Sequence, residues 1–241
     1  MKPEDRLADA IAQSGMRRRL ILAGAGALTW PPLVRADLLS SLSSSDATAG
    51  IRTALGRGAE AAVDLLGKTD GFWGNERVRI PLPDWLAKAQ GAFRLFGRKQ
   101  ELDDLHLSIN RAAEQAVPEA RQLLVGAVKS MSVQDAKAIL TGGDNAATQY
   151  FEQKTRKPIG DRFLPIVTKV THRSGLAQQV DSIAQKAQSL GLAKQDASIE
   201  RHVTDKALDG LFLMIGDEEK KIRADPAATG SAILKKVFGS L

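Results

Sequence analysis

The chain has 241 residues, of which 43% are apolar, 26% are charged and none is cysteine, and its net charge is +6. That is enough apolar material for one sizeable core. The missing thiol excludes disulfides, thiolate catalysis, Cys-ligated zinc, iron–sulfur centres and a lipid-modified cysteine.

The chain opens on an export pattern. Met16-Arg17-Arg18-Arg19 precedes residues 20–33, which are apolar apart from one threonine and rich in Gly and Ala. Val34-Arg35-Ala36 then offers a small residue at −1 and a permitted one at −3. Positive, apolar, small is the order of a secretory signal, and cleavage is expected after Ala36. The apolar run is short for a transmembrane helix. Arg17-Arg18-Arg19-Leu20-Ile21 also fits the twin-arginine form. Residues 1–15 are then either a long n-region or an upstream start, with Met16 as the alternative first residue. Gly24-Ala25-Gly26 starts like a dinucleotide fingerprint but lacks its third glycine, its preceding strand and its later acid.

The signal also explains half of the charge. Six of the 34 basic and three of the 28 acidic residues lie in 1–36, so residues 37–241 carry only +3. No basic run interleaved with aromatics remains there, and no nucleic-acid partner is expected. The organisation read from the chain is a signal segment over 1–36, a serine-rich spacer over 37–45 and a helical domain over 46–241, with no transmembrane span after the signal.

Asp46 or a neighbouring serine is the expected cap of the first helix, carrying Ile51, Leu55, Ala62 and Leu66 and stopped by Gly67. Gly71, Gly74, Asn75, Pro81 and Pro83 make 71–83 irregular, with Val78-Arg79-Ile80 as a short extended piece. Pro83 or Asp84 opens the next helix, with Trp85, Ala89, Phe93 and Phe96 on one face. Leu105, Ile109, Ala112 and Ala116 form another stripe, and Pro118 starts a further helix or kinks a long one. Ser132-Val133-Gln134-Asp135 resembles a capping box, with Asp in place of Glu or Gln. Asp144 is the expected cap of the segment with Ala147, Tyr150 and Phe151, and Pro165 starts or bends a piece over 163–170. Leu176, Val180, Ile183, Ala187 and Leu190 predict one more helix, and 199–222 the longest, ended by Pro226. Ile233, Leu234, Val237 and Phe238 close the chain. The fold class is all-α, a single compact domain of about eight to ten helices.

Chemistry-bearing patterns are sparse. His106, His172 and His202 are scattered, each reading as a surface or boundary histidine, and no His-x-x-x-His, Gly-x-Ser-x-Gly or P-loop occurs. Asp103, Asn110 and Glu114 share a helix face opposite the apolar stripe, with Asp104 and Arg111 beside it. The plain reading is a solvated face with Arg111 paired to Asp104 or Glu114. A buried polar contact to another helix and a ligand or hard-cation site are the alternatives. Tyr150 has Lys154 one turn on and Thr148 nearby. It is either a packed ring with a bonded hydroxyl or half of an acid–base pair. Glu219 and Arg223 read as ordinary helix-surface pairing.

Several motifs together resemble a bacterial family of unknown function, domain-of-unknown-function 4197. They are Asp70-Gly71-Phe72, Ile80-Pro81-Leu82-Pro83, Asn110-Arg111-Ala112-Ala113-Glu114, Met131 with Asp135-Ala136 and Ile139-Leu140, Ala146-Ala147-Thr148 with Tyr150-Phe151, Asp209-Gly210-Leu211-Phe212, and Glu218-Glu219 with Ile222-Arg223 and Pro226. Their order and spacing run from about residue 42 to 241, with a departure at Ala228-Thr229-Gly230. The resemblance implies an exported helical envelope protein and assigns no catalytic residue or cofactor. Asn110, Arg111, Glu114, Thr148 and Tyr150 lie inside its motifs and, with Lys154, are the candidate ligand-binding residues.

The function expected is non-enzymatic binding, in the periplasm, of an apolar ligand or an envelope protein. The alternatives are a metal-dependent or acid/base hydrolase using Asp103, Asn110, Glu114 or the Tyr150–Lys154 pair, and a structural envelope component. No metal ligand set and no cofactor is expected.

Overall fold

A computed structural model describes residues 44–95, 97, 99–173, 178, 185 and 198–226. The signal segment, the start of the spacer, the apolar stripe expected over 176–190 and the closing stripe at 233–238 lie outside the described residues. Among the described residues the elements are α1 (Ser44–Leu66), α2 (Asp84–Leu95), α3 (Lys99–Ala116), a 3-10 turn (Val117–Glu119), α4 (Ala120–Ser130), α5 (Val133–Thr141), α6 (Ala146–Arg173) and α7 (Ile199–Ala224). Seven α-helices and no strand are therefore found among those residues, fewer helices than the eight to ten expected. One reason is Pro158 and Pro165. Both lie inside α6, so the two separate segments expected there are one 28-residue helix, longer than the 26 residues of α7. The last two residues of the expected spacer, Ser44 and Ser45, already belong to α1.

α6 and α7 lie at the centre. They pack on each other, α6 also on α3, α4 and α5, and α7 on α1 and α3. Their buried side chains are spaced for this: Phe151, Ile159, Phe163 and Val167 on α6, and Val203, Ala207, Leu211 and Ile215 on α7, each 3% exposed or less. One continuous core joins them to Leu66, Phe72, Ile80, Leu86, Leu105 and Ile109. In α2 it is Leu86 that is fully buried, while Trp85 of the expected stripe is only partly so.

Residues 67–83 form no helix or strand, and Phe72, Val78, Ile80 and Leu82 nonetheless enter the core. The turn into this loop is tight. Asp70 has φ of +65°, and a Cβ on Gly71 would stand 2.4 Å from the Leu66 carbonyl oxygen. Phe72 then lies across α7 at Gly210, where a Cβ would come 2.8 Å from Phe72 Cε1 and 3.3 Å from Val78 Cβ. Phe72 is 0% exposed, so its ring would have to shift within the core to make room. Gly210→Ala is therefore expected to cost about 1–3 kcal/mol by overpacking. Urea denaturation checks this, and a loss below a few tenths of a kcal/mol would contradict the close approach.

Ser132 begins α5 with the reciprocal pair that its sequence suggested. Asp135 N–H donates to Ser132 Oγ at 3.0 Å, and Ser132 N–H donates to the Asp135 carboxylate at 2.9 Å. The Ser132 amide and then its hydroxyl hold the Asp135 carboxyl below the usual aspartate range. A depressed folded value contributes stability above the unfolded value and loses it as pH falls through the folded one. Asp135→Asn should thus lower the urea midpoint at neutral pH, and the gap to the wild type should close in acid. A gap independent of pH would refute this.

Candidate functional site

The motif residues build two buried polar nodes and border an open trough. The first node fastens the 70–80 loop to α3. Glu114 Oε1 accepts from the Phe72 and Trp73 amides, both at 3.1 Å, and its Oε2 accepts from Arg111 at 2.7 Å. Arg111 reaches on to Asp70 at 2.7 Å. One turn earlier, Asn110 Oδ1 accepts from the Ile80 amide at 2.8 Å, and its Nδ2 donates to the carbonyls of Ile80 and His106 at 3.0 and 2.8 Å. His106 Nε2 donates to the same Ile80 oxygen at 2.9 Å. Burial holds this imidazole below the ordinary histidine value, so it is neutral at neutral pH. Trp73 meets its edge with ring centroids 5.0 Å apart, and Arg79 lies 5.1 Å over the Trp73 ring.

The solvated face expected on α3 is thus corrected. Asn110 is 0% and Glu114 4% exposed. The loop lies over them, and its backbone amides and carbonyls need partners away from water. Arg111 pairs with Glu114 and Asp70 rather than with Asp104. Asp103 stays exposed and pairs with Lys99, while Asp104 accepts from Gln100. Asp103 is therefore not drawn into a site with Asn110 and Glu114. Among the described residues no three His, Asp or Glu side chains gather in a metal-holding arrangement.

The second node caps α6. Glu219 of α7 accepts from the amides of Ala147 and Thr148 at 2.9 and 2.8 Å and from the Thr148 hydroxyl at 2.8 Å. Arg223 Nε and a terminal guanidinium nitrogen bond Glu219 Oε1 at 3.1 and 2.8 Å, and Arg223 also reaches the Ile139 carbonyl at 2.9 Å. The surface pairing expected of Glu219 and Arg223 is corrected as well, since Glu219 is 3% exposed. No side-chain cap bond from Asp144, the expected cap, is formed; a carboxylate from another helix meets the orphan amides of the first turn. The sequence does carry a signal for this. Glu219 stands four residues after Ile215 and three before Ile222, in the register of the apolar stripe.

Tyr150 donates its hydroxyl to the Ala127 carbonyl at 2.9 Å, and burial pushes its phenol up from the ordinary value. Lys154 Nζ sits 6.0 Å from the ring centroid and is exposed. The packed alternative is the one found. Of the six candidates, Asn110, Arg111 and Glu114 meet in the loop node, whereas Thr148 belongs to the cap, Tyr150 is bonded to Ala127, and Lys154 is exposed beside the Tyr150 ring. His202, at the boundary as expected, bonds the Pro81 carbonyl through Nε2 at 2.8 Å, and His172 is exposed.

The open relief runs along the α6–α7 seam and was not read from the sequence. One trough of about 520 Å³ is lined by Gly160, Leu164, Thr204 and Leu208. Another of about 360 Å³ is lined by Thr148, Phe212, Leu213 and Gly216. Glu152 and Arg156 border both. Arg156 bonds Glu152 at 2.8 Å and Asp209 at 2.6 Å, with its guanidinium 5.9 Å over the Phe212 ring. A partly open, mostly apolar crevice between α1, α5, α6 and α7 is far smaller, about 10 Å³.

A family model described as "Protein of unknown function (DUF4197)" matches residues 41–239. No curated protein and no solved structure shows significant similarity to the chain.

Proposed function

This chain belongs to the DUF4197 family of proteins of unknown function, and we propose that it is an exported envelope protein that works by binding a partner rather than by catalysis. The observation that carries this reading is what the buried motif side chains do. Asn110, Glu114 and Glu219 face backbone amides at 2.8–3.1 Å. They complete a scaffold, and a general acid, base or nucleophile needs a side chain that can reach a substrate.

Within the binding class, the geometry favours a macromolecular partner over an apolar ligand held inside. The crevice between α1, α5, α6 and α7, at about 10 Å³, holds no more than about one water molecule. The α6–α7 troughs are larger and open to the surface. Among the described residues no helix is long and apolar enough to cross a membrane. The positive, apolar, small order of residues 16–36 supports export, and the paired arginines support the twin-arginine route.

Fractionation of the producing bacterium, with N-terminal sequencing and formaldehyde crosslinking, tests the reading. The expected result is a periplasmic chain beginning near Asp37 that forms a discrete larger adduct. Full-length chain retained in the cytoplasm, with no adduct, would overturn it. Arg17→Lys with Arg18→Lys should block export if the twin-arginine route is used.

A further inference from the structure

The loop between α1 and α2 is fastened to the helices by side chains. Among the described residues, every backbone–backbone hydrogen bond made by residues 68–82 stays within that stretch. Four bonds hold its Ile80-Pro81 end. Asn110 makes two of them, to the Ile80 amide and carbonyl, and His106 makes a third, to the same carbonyl. His202 of α7 donates the fourth, to the Pro81 carbonyl. Two of the four are thus made by imidazoles, the side chain whose charge changes between about pH 5 and 8.

The surroundings of His106 make it the sensitive one. The ring stands on α3 beneath the loop, part-buried, with the Trp73 ring 5.0 Å away at 85°. Arg79 opposes a positive charge on it and Asp103 favours one. Asp103 is exposed and already paired with Lys99. Glu114, Arg111 and Asp70 hold the other end of the loop, and His202 faces it from α7. Protonation does not remove the bond to Ile80, because Nε2 remains a donor. It places a cation in a part-buried position beside Arg79. Trp73 and Arg79 both belong to the loop, so lifting the loop returns water to the ring and takes the opposing cation away.

We propose that the 72–81 loop is an acid-released strap, with His106 as the group whose protonation favours its opening. The sign follows from linkage. Burial first, and Arg79 with it, holds the closed-state imidazole below the ordinary histidine value, and opening relieves both. The open state therefore binds the proton more tightly. Opening grows more favourable as pH falls below the ordinary value, by at most about tenfold per pH unit, the limit for one linked proton. The dependence ends once the closed state is protonated as well. At neutral pH the burial of Phe72, Val78 and Ile80 keeps the strap down. Opening frees the amides of Phe72, Trp73 and Ile80 from Glu114 and Asn110 and bares these apolar side chains.

Amide exchange followed by NMR between about pH 8 and 5 tests this, because exchange registers rare local openings. After correction for the intrinsic exchange rate at each pH, protection at Trp73 and Ile80 should fall as pH falls. Protection at Phe163 and Leu211, both 0% exposed in the central helices, should change less. The His106 ring should titrate at a lower pH in the folded chain than in the urea-unfolded chain. His106→Gln keeps a side-chain N–H donor and takes no proton, and it should abolish the pH dependence of the loop. His202→Gln should leave that dependence in place. If His106→Gln does not fold, Arg79→Gln takes its place and should raise the His106 midpoint and shrink the dependence.

Loop protection that is independent of pH, or that falls equally in the central helices, would overturn the strap. A pH dependence that survives His106→Gln, or that is lost with His202→Gln instead, would assign the proton to another group and overturn the role of His106. A His106 midpoint no lower in the folded than in the unfolded chain would do the same. Each of these outcomes leaves the binding reading standing.

Discussion

Glu219→Ala should lower the unfolding free energy by roughly 3–5 kcal/mol, the usual effect of removing one partner from a buried charged pair. The physical cause is threefold. The amides of Ala147 and Thr148 lose their acceptor at the start of α6, where no preceding turn can replace it. The Thr148 hydroxyl loses its partner. Arg223, whose side chain is 15% exposed, keeps only part of its anchoring through the Ile139 carbonyl. For a domain of this size the melting temperature should fall by about 10 °C. Amide exchange should quicken first at 146–149. Glu219→Gln, which retains an acceptor, should lose less than half as much. A loss below about 1 kcal/mol for Glu219→Ala would show that water replaces the carboxylate and that the cap does not hold α6.

Glu114→Ala is expected to cost about 3 kcal/mol, with the effect centred on the loop. Phe72 and Trp73 would each have an amide without an acceptor, and Phe72 is fully buried. Arg111 would keep Asp70 at the surface, so Arg111→Ala alone should cost only about 1 kcal/mol or less. Loosening of the loop would free Trp73 from the His106 edge and shift its fluorescence to the red. Equal losses for Glu114→Ala and Arg111→Ala would mean that the ion pair, rather than the amide clamp, holds the loop. Loss of function without loss of stability would contradict the scaffold role on which the proposed function rests.

The contrast between these residues and the plain reading of the chain is instructive. Periodicity places Leu105, Ile109, Ala112 and Ala116 in the core, and they are there at 0% exposure. It places Asn110 and Glu114 outside, because a helix wheel knows one apolar stripe and assigns the rest to water. The buried arc of α3 is wider, and Ala113, also 0% exposed between them, was the available hint. Ser132 and Asp135 were legible because a cap is local: both partners lie within four residues. The cap of α6 was not, since its carboxylate comes from α7, 72 residues further along the chain.

The sequence by itself determined the all-helical class, the family, the capping box at Ser132 and the irregular character of 71–83. Each depends on residue type, motif order or neighbours a few positions apart. Only the tertiary structure decided that Asn110, Glu114 and Glu219 are buried and that Pro158 and Pro165 sit inside one helix. The physical reason is that a backbone amide or a hydroxyl needs a partner in space, and distant elements supply it only after they have packed.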